Sequence, residues 1–387
     1  MKRTFLGLMV IGLMVVTTSC FVATDTEAVP AFARATGKSC ASCHTTWPML
    51  SKEGRKFKEA GYVSGDEADK GGTVEVADSL TLAKNAFAAR LQARPYDKKS
   101  FDKDTGNDKD VARMRALHEV ELFIAGIAGN NISSFIEAKG EDEVGNTDFK
   151  LEAQAGVIGF HPNAAANIHL GFAEPIFADP YSSYCDGRRV TRAFRGVNDK
   201  GFLTGGSQFA SISGRASSLP RLFYLAAISA NNKDDFEHTP LGNYSLRAAY
   251  DALPWLSIGG LYQKEKAKYE WASSKYMKEA DASISSIDAT IQFEDGLDAN
   301  LAYVIRNDNE VKQKNNILAV EAGYPLKLGV VKIAPYARVE QYTKNDGKDK
   351  FTDYHFSVSH LIRPNLKGVI TYEMIDKGAS GNDESRM

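Results

Sequence analysis

The amino-acid sequence predicts a mainly β protein, a transmembrane antiparallel up-and-down β-barrel of about 16 strands, preceded by a small α-helical module. Two observations predict the barrel. Apolar and polar residues alternate one by one in many segments between residues 85 and 374, and short and long connections alternate between those segments. In addition, no long apolar run follows residue 17, so a membrane-spanning form of this chain must close its backbone hydrogen bonds in a barrel.

The first 31 residues are predicted to be a signal peptide. Lys2 and Arg3 supply the positive charge, and the apolar stretch from Phe5 to Val16 is shorter than the about 20 residues of a spanning helix. Cleavage is expected between Ala28 and Ala31. Cys20 offers a lipoprotein alternative, although Thr17-Thr18-Ser19 is a poor lipidation signal before it. The net charge of −2 gives no indication of nucleic-acid binding.

The helical module, residues 32–75, is built around Cys40-Ala41-Ser42-Cys43-His44. This C-x-x-C-H pattern is the attachment signal of a c-type haem. Cys40 and Cys43 would each form a thioether to the same porphyrin, and His44 would be the proximal ligand of the iron. A zinc site would need a second ligand pair at similar spacing, and a thioredoxin-like redox pair would need a βαβ context. The sequence shows neither, so one covalent haem c is predicted.

A helix in this module is expected to start near Pro48, with Thr46 as its N-cap, and to stop at Gly61. Its aromatic and apolar residues could pack on the haem or form a minimal core. These candidates for haem packing are Trp47, Leu50, Phe57 and Tyr62. A module of some forty residues cannot bury much apolar surface by itself. It therefore needs the haem, a partner surface or both.

The sixth ligand of the iron is left open by the sequence. Met49 follows His44 so closely that it rises from the same side of the ring. Met114 and His118 come next along the chain, on a predicted strand. Ligation by one of these three, a weak ligand or an open position all remain as alternatives.

Residues 76–84 are predicted to be a linker, and residues 85–387 a porin-like barrel. Each predicted strand has one apolar face and one polar face. In the first strand, Phe87, Ala89 and Leu91 alternate with Ala88, Arg90 and Gln92. Similar alternation recurs at 114–124, 149–157, 287–294 and 331–340. Short connections, such as 129–131 and 252–255, alternate with long ones, such as 97–110, 265–281, 307–315 and 343–352. Short turns on one rim and long loops on the other are typical of outer-membrane barrels.

Fifteen strands can be placed between residues 85 and 374, and such barrels have an even number of strands. Residues 384–387 are therefore interpreted as the start of a sixteenth strand that is cut short, without the usual terminal aromatic residue. A barrel of fourteen strands is the alternative.

The longest loop, Pro175 to Gly206, carries Cys185, Arg188, Arg189, Arg192 and Arg195. It could fold inward and line a constriction, or remain a solvated surface loop. Cys185 is expected to be an inert thiol. Five scattered histidines are expected to be structural rather than ligands: His161, His169, His238, His355 and His360.

The stretch from Phe32-Ala33-Arg34 through Cys40–His44, followed by Pro48-Met49-Leu50, Gly54-Arg55-Lys56-Phe57 and Gly61-Tyr62, resembles the fused monohaem cytochrome c–porins of bacterial outer membranes, which include iron oxidases. The resemblance covers about thirty residues closely, and the barrel is similar in architecture only. This chain is shorter than many of that kind.

The resemblance implies an electron conduit in the bacterial outer membrane, with the haem module in the barrel lumen or at its periplasmic mouth. Electrons would pass one at a time from an extracellular donor, Fe(II), to a periplasmic c-type cytochrome, as in an iron:cytochrome oxidoreductase. Two alternatives stay open: a transport channel with the haem module as a structural plug, and the same conduit run outward to extracellular acceptors.

Overall fold

The alternating segments form a single sheet of seventeen strands in which consecutive strands pair, except that β12 and β13 both pair with β14. In the computed structural model, the strands are β1 (Phe87–Lys99), β2 (Val111–Gly129), β3 (Ile132–Glu141), β4 (Lys150–Asn163), β5 (Ala166–Ala173), β6 (Ser207–Arg215), β7 (Leu222–Ser229), β8 (Asn243–Leu253), β9 (Leu256–Glu270), β10 (Met277–Gln292), β11 (Asp298–Asp308), β12 (Gln313–Gly323), β13 (Leu326–Leu328), β14 (Val331–Lys344), β15 (Asp349–Arg363), β16 (Leu366–Asp376) and β17 (Glu384–Arg386). All strand pairs are antiparallel.

The structure describes residues 40–44, 49–60, 62, 87–99, 111–129, 131–142, 150–180, 207–230, 242–270, 277–293, 296–309, 312–329, 331–363, 366–376 and 384–386. The predicted signal peptide, Cys20, the linker at 76–84, Trp47, Cys185, His238 and the four loop arginines lie outside these residues.

The sheet closes on itself, because β1 pairs with β2 on one side and with β17 on the other. The three residues of β17 also pair with β16. Since β12 and β13 both pair with β14 and are separated only by Tyr324 and Pro325, they act as one interrupted strand of the wall. The predicted up-and-down barrel of sixteen strands with a short last strand is confirmed, and the fourteen-strand alternative is wrong.

The barrel wall has a polar inner face and an apolar outer face. Charged and polar side chains at alternate positions are buried inside, for example Arg247, Asp288 and Arg338. Large apolar side chains at the intervening positions are exposed outside. They include Ile124, Ile136, Ile158, Leu170, Ile228, Leu246, Ile258, Ile287, Leu301, Val320, Phe356 and Val358. This reversal of the usual soluble arrangement is the pattern of a barrel that faces lipid.

The connections differ between the two ends of the barrel. At one end, called here the short-turn end, strands join through tight turns such as the two residues between β2 and β3, where Asn131 has a left-handed φ of 60°. The other end, the long-loop end, holds the connections after β1, β3, β5 and β7. Three other connections at this end are shorter than predicted, because the strands on either side of them continue further. These are the connections predicted at 265–281, 307–315 and 343–352.

In the described part of the chain before the barrel there are two short helices, α1 (Cys40–Cys43) and α2 (Lys52–Glu59). The expectation that a helix starts near Pro48 with Thr46 as its cap is wrong for α2, because the hydroxyl of Ser51 accepts a hydrogen bond from the amide of Gly54 and so caps the helix at Lys52. Among the described residues, no helix has both the length and the apolar character needed to cross a membrane.

The segment 174–180, which follows β5, enters the barrel lumen. Asp179 is fully buried and its carboxylate pairs with the guanidinium of Arg247 on the inner face of β8. Ile176 and Ala178 join an apolar cluster formed by inner-face residues of β7 to β14. The inward alternative for the loop after Pro175 is therefore correct for these residues.

Candidate cofactor site at the short-turn end of the barrel

The Cys-x-x-Cys-His motif is held against the start of α2. Cys40 and Cys43 occupy one helical turn, and His44 follows directly. The amide of Ser51 donates to the carbonyl of Cys43 at 2.8 Å, while the Ser51 hydroxyl donates to the carbonyl of Ser42 at 2.6 Å. His44 also forms an isolated β-bridge with Leu50. These bonds fold the motif back on α2, so the two helices form one unit.

Gly54 allows the close approach of the two helices. A Cβ atom at this position would lie 2.0 Å from the carbonyl oxygen of Cys43, which no side chain can tolerate without a shift of the backbone. The contact is therefore between the backbone of α2 and the backbone of the motif.

The barrel holds this unit through inward-facing side chains. The guanidinium of Arg215, at the end of β6, donates to both carboxylate oxygens of Glu59 at 2.6 and 2.8 Å. At the end of β10, Gln292 Nε2 donates to the carbonyl of Leu50 at 2.9 Å. Both partners lie next to short turns, at 216–221 and 293–297. The two helices therefore lie inside the lumen at the short-turn end.

Aromatic rings continue this contact deeper into the lumen. Tyr62 stacks on Phe135 of β3 with ring centroids 5.9 Å apart, and it lies 5.6 Å from the ring of Phe177. Phe57 meets Tyr62 edge-on at 5.8 Å. The ammonium of Lys58 lies 5.9 Å from the centroid of Phe177. These contacts form an aromatic surface, made of Tyr62, Phe135 and Phe177, beside the helical unit on an inner wall that is otherwise polar.

Two histidines of the lumen wall border this aromatic surface, and their hydrogen bonding differs. His161 has both ring nitrogens occupied, by the Ser133 hydroxyl at 2.7 Å and by Asn167 Oδ1 at 2.9 Å. His169 lies 5.3 Å from His161 and 6.0 Å from Phe177, and it is 1% exposed. Neither nitrogen of His169 has a hydrogen-bond partner in the described part of the chain.

The predicted site residues are partly brought together. Leu50 and Phe57 belong to the helical unit, and Tyr62 joins this unit to the barrel. Met49, which precedes Leu50, is buried. Trp47 lies outside the described residues. The thiol of Cys43 is half-buried and forms no disulfide.

The structure places Met114 and His118 away from this site. Both are on the part of β2 toward the long-loop end, roughly 17 Å or more along the strand from Phe123, whose ring lies 6.2 Å from that of Phe135. Met114 is 77% exposed. The imidazole of His118 donates to the carboxylate of Asp142. This placement does not favour either residue as the sixth ligand.

Asp142, the hydrogen-bond partner of His118, lies just beyond β3 at the long-loop end. Burial would raise the pKa of Asp142, but its hydrogen bond with His118 and the charge of Arg115 outweigh burial and lower the pKa. The carboxylate is thus held charged beside His118.

The middle of the lumen contains two sets of buried charges. Arg247 pairs with Asp179 and, through two bonds of 2.6 and 2.8 Å, with Asp288. In the second set, Glu340, Asp353 and His355 each offer a ligand atom within 4.8 Å of the others. The guanidinium of Arg338 lies 3.2 Å from a carboxylate oxygen of Glu340 and 3.2 Å from His355 Nε2, and it supplies positive charge that compensates the carboxylates of this set.

No zinc site forms around the motif in the described residues. The one group of three metal-ligating side chains found there is Glu340, Asp353 and His355, and it contains no cysteine. A structural zinc centre would need two further ligands close to Cys43.

Comparison with known proteins gives the fold. No family model matches the chain, and no curated protein matches it. Among solved structures, OmpF of Salmonella typhi in complex with daunomycin is similar, with 10% identity and a TM-score of 0.54, over 78% of this chain and 95% of that chain. The outer membrane channel DcaP of Acinetobacter baumannii has 10% identity and a TM-score of 0.52, over 78% and 96%.

A loop-deletion form of OmpT, an outer membrane protein of Vibrio cholerae, is similar at 10% identity and a TM-score of 0.51, over 78% of this chain and 97% of that chain. At such identities the likeness establishes the architecture and nothing finer. The chain therefore has the porin-like β-barrel fold, with α1 and α2 held inside the barrel.

Proposed function

We propose that this protein is an electron conduit of the bacterial outer membrane, in which one covalent haem c carries one electron at a time across the barrel. The donor is extracellular Fe(II) and the acceptor is a periplasmic c-type cytochrome, which is the activity of an iron:cytochrome oxidoreductase. The observation that carries the proposal is the position of the Cys40–His44 motif, fixed inside the lumen through Glu59 and Arg215.

The residues present fit a covalently attached haem in three respects. Cys40 and Cys43 share one helical turn with His44 next to them. An aromatic surface formed by Tyr62, Phe135 and Phe177 borders the unit and suits an apolar macrocycle. A buried imidazole, that of His169, has no hydrogen-bond partner among the described residues, which is unusual for a polar group in a protein interior.

The outer face supports a membrane location. A belt of exposed apolar side chains surrounds the barrel, and Trp255 and Phe293 stack at 5.0 Å at the short-turn end. Aromatic residues at the rims are typical of barrels in a bilayer. By analogy with other such barrels, the short-turn end would face the periplasm, and the helical unit would lie at the periplasmic mouth.

When bound, the haem supplies one-electron exchange at its iron. Each Fe(II) ion gives up one electron and leaves as Fe(III), and the electron ends on one periplasmic carrier. The polar inner wall suits a hydrated cation that enters from the long-loop end. Arg215, Gln292 and Gly54 hold the motif in place, and the aromatic surface excludes water from one side of the unit.

A transport channel with the helical unit as a structural plug is the second candidate, and the porin-like fold favours it. The segment 174–180 and the buried Asp179–Arg247–Asp288 group occupy the middle of the lumen, which favours the conduit over an open pore. The same conduit run outward to extracellular acceptors is the remaining alternative, and it uses the same residues.

Stopped-flow spectroscopy of the purified protein with anaerobic Fe(II) tests the proposal. We expect the haem spectrum to change from oxidised to reduced, and we expect His44→Ala to abolish that redox spectrum while the barrel still folds. Failure of Fe(II) to reduce the haem on a seconds timescale would remove the iron-oxidase assignment. Large, steady single-channel currents together with a redox-silent haem would support the transport channel instead.

A further inference from the structure

We infer that His169 is the distal axial ligand of the haem iron, opposite His44. The inference rests on the proposed haem and supplies the sixth ligand that the residues nearer in sequence do not. His169 lies on the inner face of β5, and its ring is 6.0 Å from that of Phe177, which the ammonium of Lys58 from α2 approaches to 5.9 Å. β5 is far from the Cys-x-x-Cys-His motif in sequence.

The hydrogen bonding of His169 is the first observation. A neutral imidazole has one N–H donor and one lone pair, and a buried side chain normally engages both. Neither nitrogen of His169 has a partner in the described part of the chain, although the residue is 1% exposed. An iron ion would use the lone pair that the protein leaves unsatisfied.

The contrast with His161 is the second observation. His161 is 7% exposed and lies 5.3 Å from His169, yet the Ser133 hydroxyl and the Asn167 side chain occupy both of its nitrogens. The lumen can therefore satisfy an imidazole at this depth. His169 shares its unsatisfied state with Ser211, the residue directly opposite it on β6, whose hydroxyl has no hydrogen-bond partner in the described part of the chain.

The surroundings are the third observation. Phe177 lies 6.0 Å from the ring of His169, and the same Phe177 contacts Tyr62 and the ammonium of Lys58 from the helical unit. The imidazole thus borders the aromatic surface that we assign to the macrocycle. A ligand from the barrel wall would also tie the helical unit to the barrel through the iron.

The test uses the full-length protein matured with covalent haem. We expect the ferric wild-type protein to show the low-spin spectrum and EPR signal of two imidazole ligands. His169→Ala should convert it to a high-spin form, and added imidazole should restore the low-spin spectrum. His161→Ala is the matched control, and it should leave the low-spin spectrum unchanged.

A second variant guards against loss of folding. His169→Met keeps a similar volume and offers a thioether, so it should give the sulfur-to-iron charge-transfer band that the wild-type protein lacks. A high-spin or methionine-ligated wild-type protein, or an unchanged low-spin His169→Ala protein, would overturn this inference while the haem and the proposed function remain. A mature protein without covalent haem would overturn both.

Discussion

At the scale of single residues, the contact between Gly54 and Cys43 decides whether the haem motif and α2 can form one unit. The ideal position of a Cβ at Gly54 lies 2.0 Å from the Cys43 carbonyl oxygen and 2.9 Å from its carbonyl carbon. These are backbone atoms, so they cannot rotate away as the end of a side chain could. Glycine is required here because a Cβ atom would not fit, and not because the backbone has a positive φ.

Gly54→Ala is expected to separate α1 from α2 and to weaken their packing by about 1–3 kcal/mol, the usual cost of forcing extra atoms into a packed contact. The yield of covalent haem should fall several-fold, as measured by the haem absorbance per barrel. Gly126→Ala is the matched control, because a Cβ there meets nothing within 4 Å. Equal haem yields in the two variants would contradict the role assigned to Gly54.

Residue types and spacing alone predict Cys40, Cys43 and His44, because the chemistry of haem attachment is encoded within five consecutive positions. The contacts that hold the unit could not be predicted, because Arg215 and Gln292 are far away in the sequence. His169 was expected to be structural, since a single histidine in an alternating strand carries no signal of what lies opposite it. Only the unsatisfied nitrogens distinguish it from His161.

At the scale of elements, the segment 174–180 lies inside the barrel. It is held by the bond between the Asp179 carboxylate and Arg247 Nε at 3.1 Å, with both side chains 0% exposed, and by the apolar contacts of Ile176 and Ala178. A buried charge pair is stable only while both partners remain, because a single buried charge is costly. The segment therefore depends on this pair.

Asp179→Ala is expected to release this segment from the inner wall and to raise the single-channel conductance of the barrel in planar bilayers. Arg247 keeps its two bonds to Asp288, so the wall itself should stay folded. Leu301→Ala, which shortens an exposed apolar side chain on the outer face of β11, is the control and should leave the conductance unchanged. Equal currents from all three proteins would show that the segment does not limit the pore.

Period-two alternation predicts most strands correctly, because one face of each strand meets lipid and the other meets a polar interior. The ends of the strands are harder to predict. β9 and β10 continue into charged sequence that was expected to be a loop, where cross-strand pairs such as Lys264 with Asp281 support them beyond the apolar belt. The start of α2 was also misplaced, since Ser51 and not Thr46 caps it.

At the scale of the whole molecule, the barrel closes through β17, whose three described residues pair with β16 and, at Arg386, with β1. The sequence could predict this arrangement because a single-chain bacterial barrel has an even number of strands and fifteen were visible. Alternation could not predict that the helical unit and the segment 174–180 lie in the lumen, because it indicates only that one face of each strand is polar.

The molecule as a whole combines a porin-like wall with a lumen that is filled at two levels. The helical unit lies at the short-turn end, and the segment 174–180 lies further inside. The hydrocarbon layer of a bilayer is about 30 Å thick, so a single haem outside the barrel could not bridge it. Under the proposed function, a haem within the lumen would exchange electrons with a donor on one side of the membrane and a soluble protein on the other.

The central claim is that electrons cross the membrane through this barrel, and electron transfer into sealed liposomes tests it most directly. The full-length protein is inserted into liposomes that enclose oxidised cytochrome c, and Fe(II) is added outside under anaerobic conditions. The account predicts that the enclosed cytochrome c is reduced with one Fe(III) formed for each electron, and that liposomes with the His44→Ala protein show no reduction. Enclosed cytochrome c that stays oxidised, in liposomes whose barrels conduct ions freely, would contradict the account.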